Sequence, residues 1–172
     1  EKDLLKISEI KNLLIVQIVQ YKNSSVSFDS IEIDGLKLKN EPLNVVFNET
    51  TRIMWNGPKN WFLVSTKKDL NKNVLDNFKD TDFAVTDLSH SRAIIEVEGQ
   101  ETMEVLKKGC PFNFNLLKKN NSINSTYNGI AFTVDKLNEN PNKVRLFALR
   151  SFGESFYHSI TDASLEFGFK SF

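Results

Sequence analysis

The sequence has one cysteine, two histidines, four prolines and seven glycines in 172 residues, and no net charge. A lone thiol, Cys110, cannot close an internal disulfide, which excludes a disulfide-stapled secreted scaffold. His90 and His158 have no ligand-type partner at helical spacing, so the usual ligand set of a metal centre is absent. The glycines are scattered, with neither G-x-G-x-x-G nor Walker spacing to cradle phosphates, and no G-x-S-x-G occurs. Basic and acidic side chains balance at 22 each, and lysine outnumbers arginine by 18 to 4. That balance disfavours nucleic acid and anionic membranes, and the scarcity of planar Arg forks disfavours base recognition further. The longest apolar run, residues 10–19, is broken by Lys11, Asn12 and Gln17 and falls far short of the roughly 20 residues of a membrane span. No basic-then-apolar leader opens the sequence, so the cytoplasm is the expected compartment.

What remains is an ordinary globular composition, 40% hydrophobic and 26% charged, with fourteen phenylalanines. Neutrality itself hints at association. Residues 10–20 read as a buried strand or a short helix. Asp34-Gly35, between Ile33 and Leu36, signals a hairpin turn, and residues 51–55 and 61–65 read as strands joined at Asn56-Gly57-Pro58. Helical spacing follows over residues 67–79, with Leu70, Val74, Leu75 and Phe78 on one face. Residues 83–88 and 93–97 are expected strands. A short helix buries Met103, Val105 and Leu106, Gly109 takes a left-handed cap, and Pro111 stops continuation. Residues 125–134 and 143–149 are expected as two antiparallel strands. Ser151 and Glu154 have capping-box spacing ahead of a helix carrying Phe156, Ile160, Ala163 and Phe167, closed by Gly168. This order predicts an α+β fold of ferredoxin-like split β-α-β units. Residues 1–80 are expected as one segment sharing the core and residues 81–172 as the other.

Chemistry is sparse. Cys110 follows a helix C-terminus, whose dipole opposes a thiolate, and so is expected to be structural. Asp87, Ser89 and His90 are close in sequence, yet neighbours on a strand face opposite sides, so a Ser–His nucleophile pair is not expected. Asp87 and Ser89 are instead expected to tie down backbone N–H groups in a turn between two strands. The aromatic tail, with Phe167, Phe169 and Phe172, either folds back or forms a protein-contact patch.

Several motifs, in order, carry a resemblance. TDLSHSRA (residues 86–93), VLKKGCP (105–111), STY (125–127), RSFGES (150–155) and EFG (166–168) resemble the signature segments of the gamma-subunit family of heterotetrameric sarcosine oxidase. GPKNWFLV (57–64) is similar to a strand shared with the aminomethyltransferase (glycine cleavage T-protein) superfamily. The likeness covers residues 52–168 and departs from the family pattern at Leu88 and Gly153, where Gln is frequent and Ala usual.

The resemblance implies an aminomethyltransferase folate-binding-domain-like fold and a non-catalytic structural subunit. The complex would oxidatively demethylate sarcosine with tetrahydrofolate as one-carbon acceptor. Its alpha, beta and delta subunits would be the partners, alpha the main contact, and FAD, FMN, NAD and tetrahydrofolate the cofactors of the holoenzyme, none bound by this chain. Alternatives are a free-standing folate-binding module and a subunit of a paralogous N-methyl amine oxidase or dehydrogenase. The residues expected to matter for structure or interface are Asp87, Ser89, Arg92, Cys110, Pro111, Arg150, Ser151 and Glu154, with no catalytic, cofactor or metal role. Arg92 and Arg150 are expected in structural or interface ion pairs.

Overall fold

The computed structural model describes residues 4–172; residues 1–3, the start of the expected 1–80 segment, lie outside the described residues. The chain divides into two compact units. One takes the described residues up to Lys11 together with Ser91–Phe172, and the other is Asn12–His90. The division therefore falls at 11/12 and 90/91, where the sequence suggested one boundary at 80/81. The physical reason is sheet pairing: strand β1 (Leu5–Glu9) hydrogen-bonds to strands more than eighty residues away, so the first strand belongs with the last third.

The Asn12–His90 unit starts with β2 (Leu14–Gln20), a central strand whose apolar run suits burial. Next come the hairpin β3 (Glu32–Ile33) and β4 (Leu36–Lys37), then β5 (Val45–Phe47), β6 (Thr51–Gly57) and β7 (Asn60–Ser65). Helix α1 (Leu70–Asn77) and β8 (Phe83–Asp87) complete it. The sheet is antiparallel in the order β5-β6-β7-β2-β8. Leu14, Val16 and Ile18 share one face of β2 and pack with Ile53, Trp61, Leu63, Leu70, Val74 and Phe78. Each such side chain contributes about 1.5–3 kcal/mol on burial. Leu75, at helical spacing with these, is 55% exposed, because α1 is short and presents only a narrow stripe.

Asp34 anchors the small hairpin. Its carboxylate accepts hydrogen bonds from Lys67 Nζ (2.6 Å), Thr51 Oγ1 (2.6 Å), Asn48 Nδ2 (3.0 Å) and Thr50 Oγ1 (3.1 Å). The Lys67 bond, then those of Thr51 and Asn48, hold this carboxyl well below the usual carboxylate range, against the opposing effect of burial.

The other unit continues with β9 (Arg92–Glu98), α2 (Thr102–Lys107), β10 (Ser122–Tyr127), β11 (Ile130–Glu139), β12 (Asn142–Leu149), α3 (Gly153–Ser164) and β13 (Phe169–Ser171). Its sheet runs β10-β11-β12-β9-β1-β13, antiparallel except for the parallel pair β1–β13. Residues 125–134 are thus a hairpin, not one strand. Asn128 and Gly129 both take positive φ (48° and 84°), as a type I′ turn requires, and the Asn-Gly dipeptide is its sequence mark. On one face, register aligns Lys6, Glu98 and Lys143, and Glu96 beside Arg145. Arg145 reaches Glu96 Oε1 at 2.9 and 2.6 Å, and Lys143 reaches Glu96 Oε2 at 2.9 Å. Burial pushes Glu96 up, but these two cations outweigh it and hold the carboxyl below its ordinary value.

Together these features make the α+β fold expected from the sequence, with two larger, mainly antiparallel sheets, the small β3–β4 hairpin and three short helices among the described residues. Among the described residues, three strands escaped sequence reading, β1, β5 and β13. Each is short, and β13 follows the helix at once.

Candidate functional site

The residues singled out by the motifs fall in three places. In the Asn12–His90 unit, Asp87 closes β8 and its Oδ1 accepts from the Ser89 N–H (2.9 Å) and the Ser89 hydroxyl (2.6 Å). Ser89 Oγ in turn accepts from the Ile15 N–H of β2 (3.0 Å), and Leu88 N–H donates to Ile15 O (2.7 Å). The hydroxyl and then the amide of Ser89 keep the Asp87 carboxyl below its ordinary value. With its proton on Asp87 and its oxygen on a backbone amide, Ser89 is built into the turn.

The second place is the core of the other unit. The Cys110 thiol is buried and donates to Ser125 Oγ at 3.3 Å, while Pro111 is exposed on the loop beyond. Gly109 does not take the left-handed conformation expected of it. Its requirement is steric: a Cβ there would sit 2.7–2.8 Å from the Tyr127 ring. Tyr127 is fully buried, donates to Val105 O (2.8 Å), and meets Phe132 and Phe156 edge-on. Burial first, then the nearby Cys110 and Asp162, push its phenol up to about 12. Segments 105–111, 125–127 and the helix after RSFGES therefore meet around one aromatic ring. Sequence reading placed Tyr127 in the STY segment but gave it no packing role. At the far end of α3, Lys108 donates to Ala163 O (2.6 Å), pairs with Glu166 and lies 4.7 Å over the Phe167 ring, which satisfies a helix C-terminus.

The third place is a cleft of about 400 Å³ beside the start of α3. Arg150, Glu154 and Tyr157 line it with Glu9, Ser171 and Phe172. Tyr157 and Ser171 hydroxyls are 2.5 Å apart and join α3 to β13. The expected capping box is absent. Residues Arg150–Phe152 already turn as a 3₁₀ segment, so Phe152 becomes the cap residue of α3 and no side chain caps it. Ser151 lies within that turn, and Glu154 is the second residue of the helix instead of the third after a Ser cap. Arg150 donates its N–H to Ser91 O (2.9 Å), and Arg92, half-buried on β9, donates to the Ser91 hydroxyl at 3.2 Å. Burial lowers the Arg92 guanidinium from its ordinary value. Gly153 packs against Ala93, where a Cβ would approach the Ala93 methyl to 3.0 Å. The aromatic tail divides: Phe169 folds back in β13, and Phe172 is 73% exposed.

Among the described residues, no group of three or more His, Cys, Asp and Glu side chains could hold a metal ion, and no helix is long and apolar enough to cross a membrane.

Strand order and helix placement define an aminomethyltransferase-type fold. The chain is similar to a chain of the heterotetrameric sarcosine oxidase of Corynebacterium sp. U-96, solved with pyrrole 2-carboxylate: TM-score 0.87 and 20% identity over 99% of this chain and 88% of that one. It is also similar to glycine cleavage system aminomethyltransferase T of Bartonella henselae, with TM-score 0.63 and 12% identity. That match covers 92% of this chain but 46% of the other. No family model and no curated protein matches the sequence.

Proposed function

We propose that this chain is the non-catalytic gamma-type subunit of a cytoplasmic sarcosine-oxidase complex. The single observation that carries this reading is the end-to-end likeness of fold to a sarcosine oxidase chain, at TM-score 0.87. The motif residues support it by what they are used for. Ser89 and Asp87 are spent on a turn, and Gly109, Cys110 and Tyr127 on a core. The alpha and beta chains would then supply FAD, FMN, NAD and tetrahydrofolate, and this chain would shape and stabilise the alpha subunit.

The rival reading, a free-standing folate-binding module, draws on the aminomethyltransferase likeness. Against it, the α3 cleft offers one guanidinium, Arg150, against two carboxylates, Glu9 and Glu154. That is a poor setting for the dianionic glutamyl tail of folate. Calorimetric titration of the purified chain with tetrahydrofolate separates the two. The subunit reading predicts no saturable heat; binding in the micromolar range would replace it with the module.

A further inference from the structure

We infer that the free edge of β13 and the cleft beside it form the docking surface for an extended segment of a partner subunit, one that carries a basic side chain among apolar residues. This rests on the subunit reading above.

The edge comes first. Gly168 O accepts from Leu5 N–H (3.0 Å) and Phe172 N–H donates to Ile7 O (3.0 Å), so these residues of the tail turn their main chain toward β1. Alternation along a strand then turns the N–H and C=O groups of Phe169 and Ser171 outward. β13 is the last strand of its sheet, and no described residue bonds those outward groups. Such a row is a template for an added strand.

The chemistry of the cleft says which strand. Ser171 belongs both to this edge and to the cleft wall. Glu9 and Glu154 outnumber Arg150 there, so the cleft complements a cation. Glu9 pairs with the exposed Lys11 (3.2 Å) at the protein surface. The exposed Phe172 lines the cleft, and Leu149 and Phe152, also exposed, neighbour the lining residues Arg150 and Gly153 in sequence. Aromatic and aliphatic groups around a desolvated charge are what a protein contact uses. On the opposite edge, β10, the exposed positions are the polar Asn124 and Thr126.

The test uses the full chain co-expressed with the flavin-carrying and folate-binding subunits of its own genome, with amide exchange read residue by residue. Assembly should slow exchange at Phe169 and Ser171 by about tenfold or more. Ser171→Pro removes the outward donor and leaves the β1 ladder intact, and Glu154→Lys reverses the charge of the cleft. Both should weaken assembly about tenfold or more, whereas Ser171→Ala, which loses only the hydroxyl bond to Tyr157 and keeps the outward N–H, should assemble as the wild type does. A wild-type complex whose assembly both variants leave unaltered, or whose amides at 169 and 171 stay unprotected, overturns the docking site while the subunit reading stands. Failure of the wild-type chain to assemble overturns both. Protection of these amides in the isolated chain, rising with its concentration, assigns the edge to a second copy and overturns the proposed occupant.

Discussion

Ser89 and Ser151 both sit in motifs, and their environments differ. Ser89 bridges Asp87 and the Ile15 amide, tying the end of β8 to β2. Ser89→Ala should therefore cost about 1–2 kcal/mol of stability and leave the turnover of an assembled complex unchanged. Ser151→Ala, by contrast, should stay within about 0.5 kcal/mol in the same denaturant series, because Ser151 caps nothing. A large loss of turnover at wild-type stability for Ser89→Ala would return a nucleophile to consideration. Asp34 gives a pH signature. Its folded carboxyl lies well below the unfolded value of about 3.9, so its contribution is present above that pH and is lost as pH falls through the folded value. Asp34→Asn should be destabilising near neutrality by about 1–3 kcal/mol, with the difference from wild type shrinking as pH falls below about 4. Paired urea melts at neutral and acid pH check this; a constant difference would contradict it.

At the scale of elements, two glycines behave differently for readable reasons. Gly129 needs only its positive φ, with open space around it, so Gly129→Ala should cost about 1 kcal/mol. Gly109 faces a ring fixed by its hydroxyl bond to Val105 and by Phe132 and Phe156. Gly109→Ala should cost about 1–3 kcal/mol, and less in a Tyr127→Leu background, which a double-mutant cycle would reveal. Additive costs would contradict the contact. Elements with strong local marks were legible in sequence: the Asp34-Gly35 hairpin, the strands around Asn56-Gly57-Pro58, and α1 by its apolar spacing. The Asn128-Gly129 turn was equally marked, but continuous β-forming residues on both sides concealed it. The capping box failed because its spacing is shared by any turn that tightens into 3₁₀ before the helix begins.

For the whole molecule, the return of β1 to the sheet of the last third is what local pattern cannot give, since pairing across more than eighty residues leaves no local trace. The α3 cleft depends on that same return, because Glu9, Ser171 and Phe172 reach it through β1 and β13. Of its members, Arg150 was singled out by resemblance and Glu154 by its spacing from Ser151 as well, and their neighbours were not. A chain whose signature residues serve its own turn and core is consistent with a role carried by its surface. The most direct test is light-scattering mass analysis of the chain co-expressed with the flavin-carrying subunits of its own genome. The account predicts one stoichiometric, flavin-coloured particle that contains this chain. Elution of the chain apart from an otherwise complete and active oxidase would contradict it.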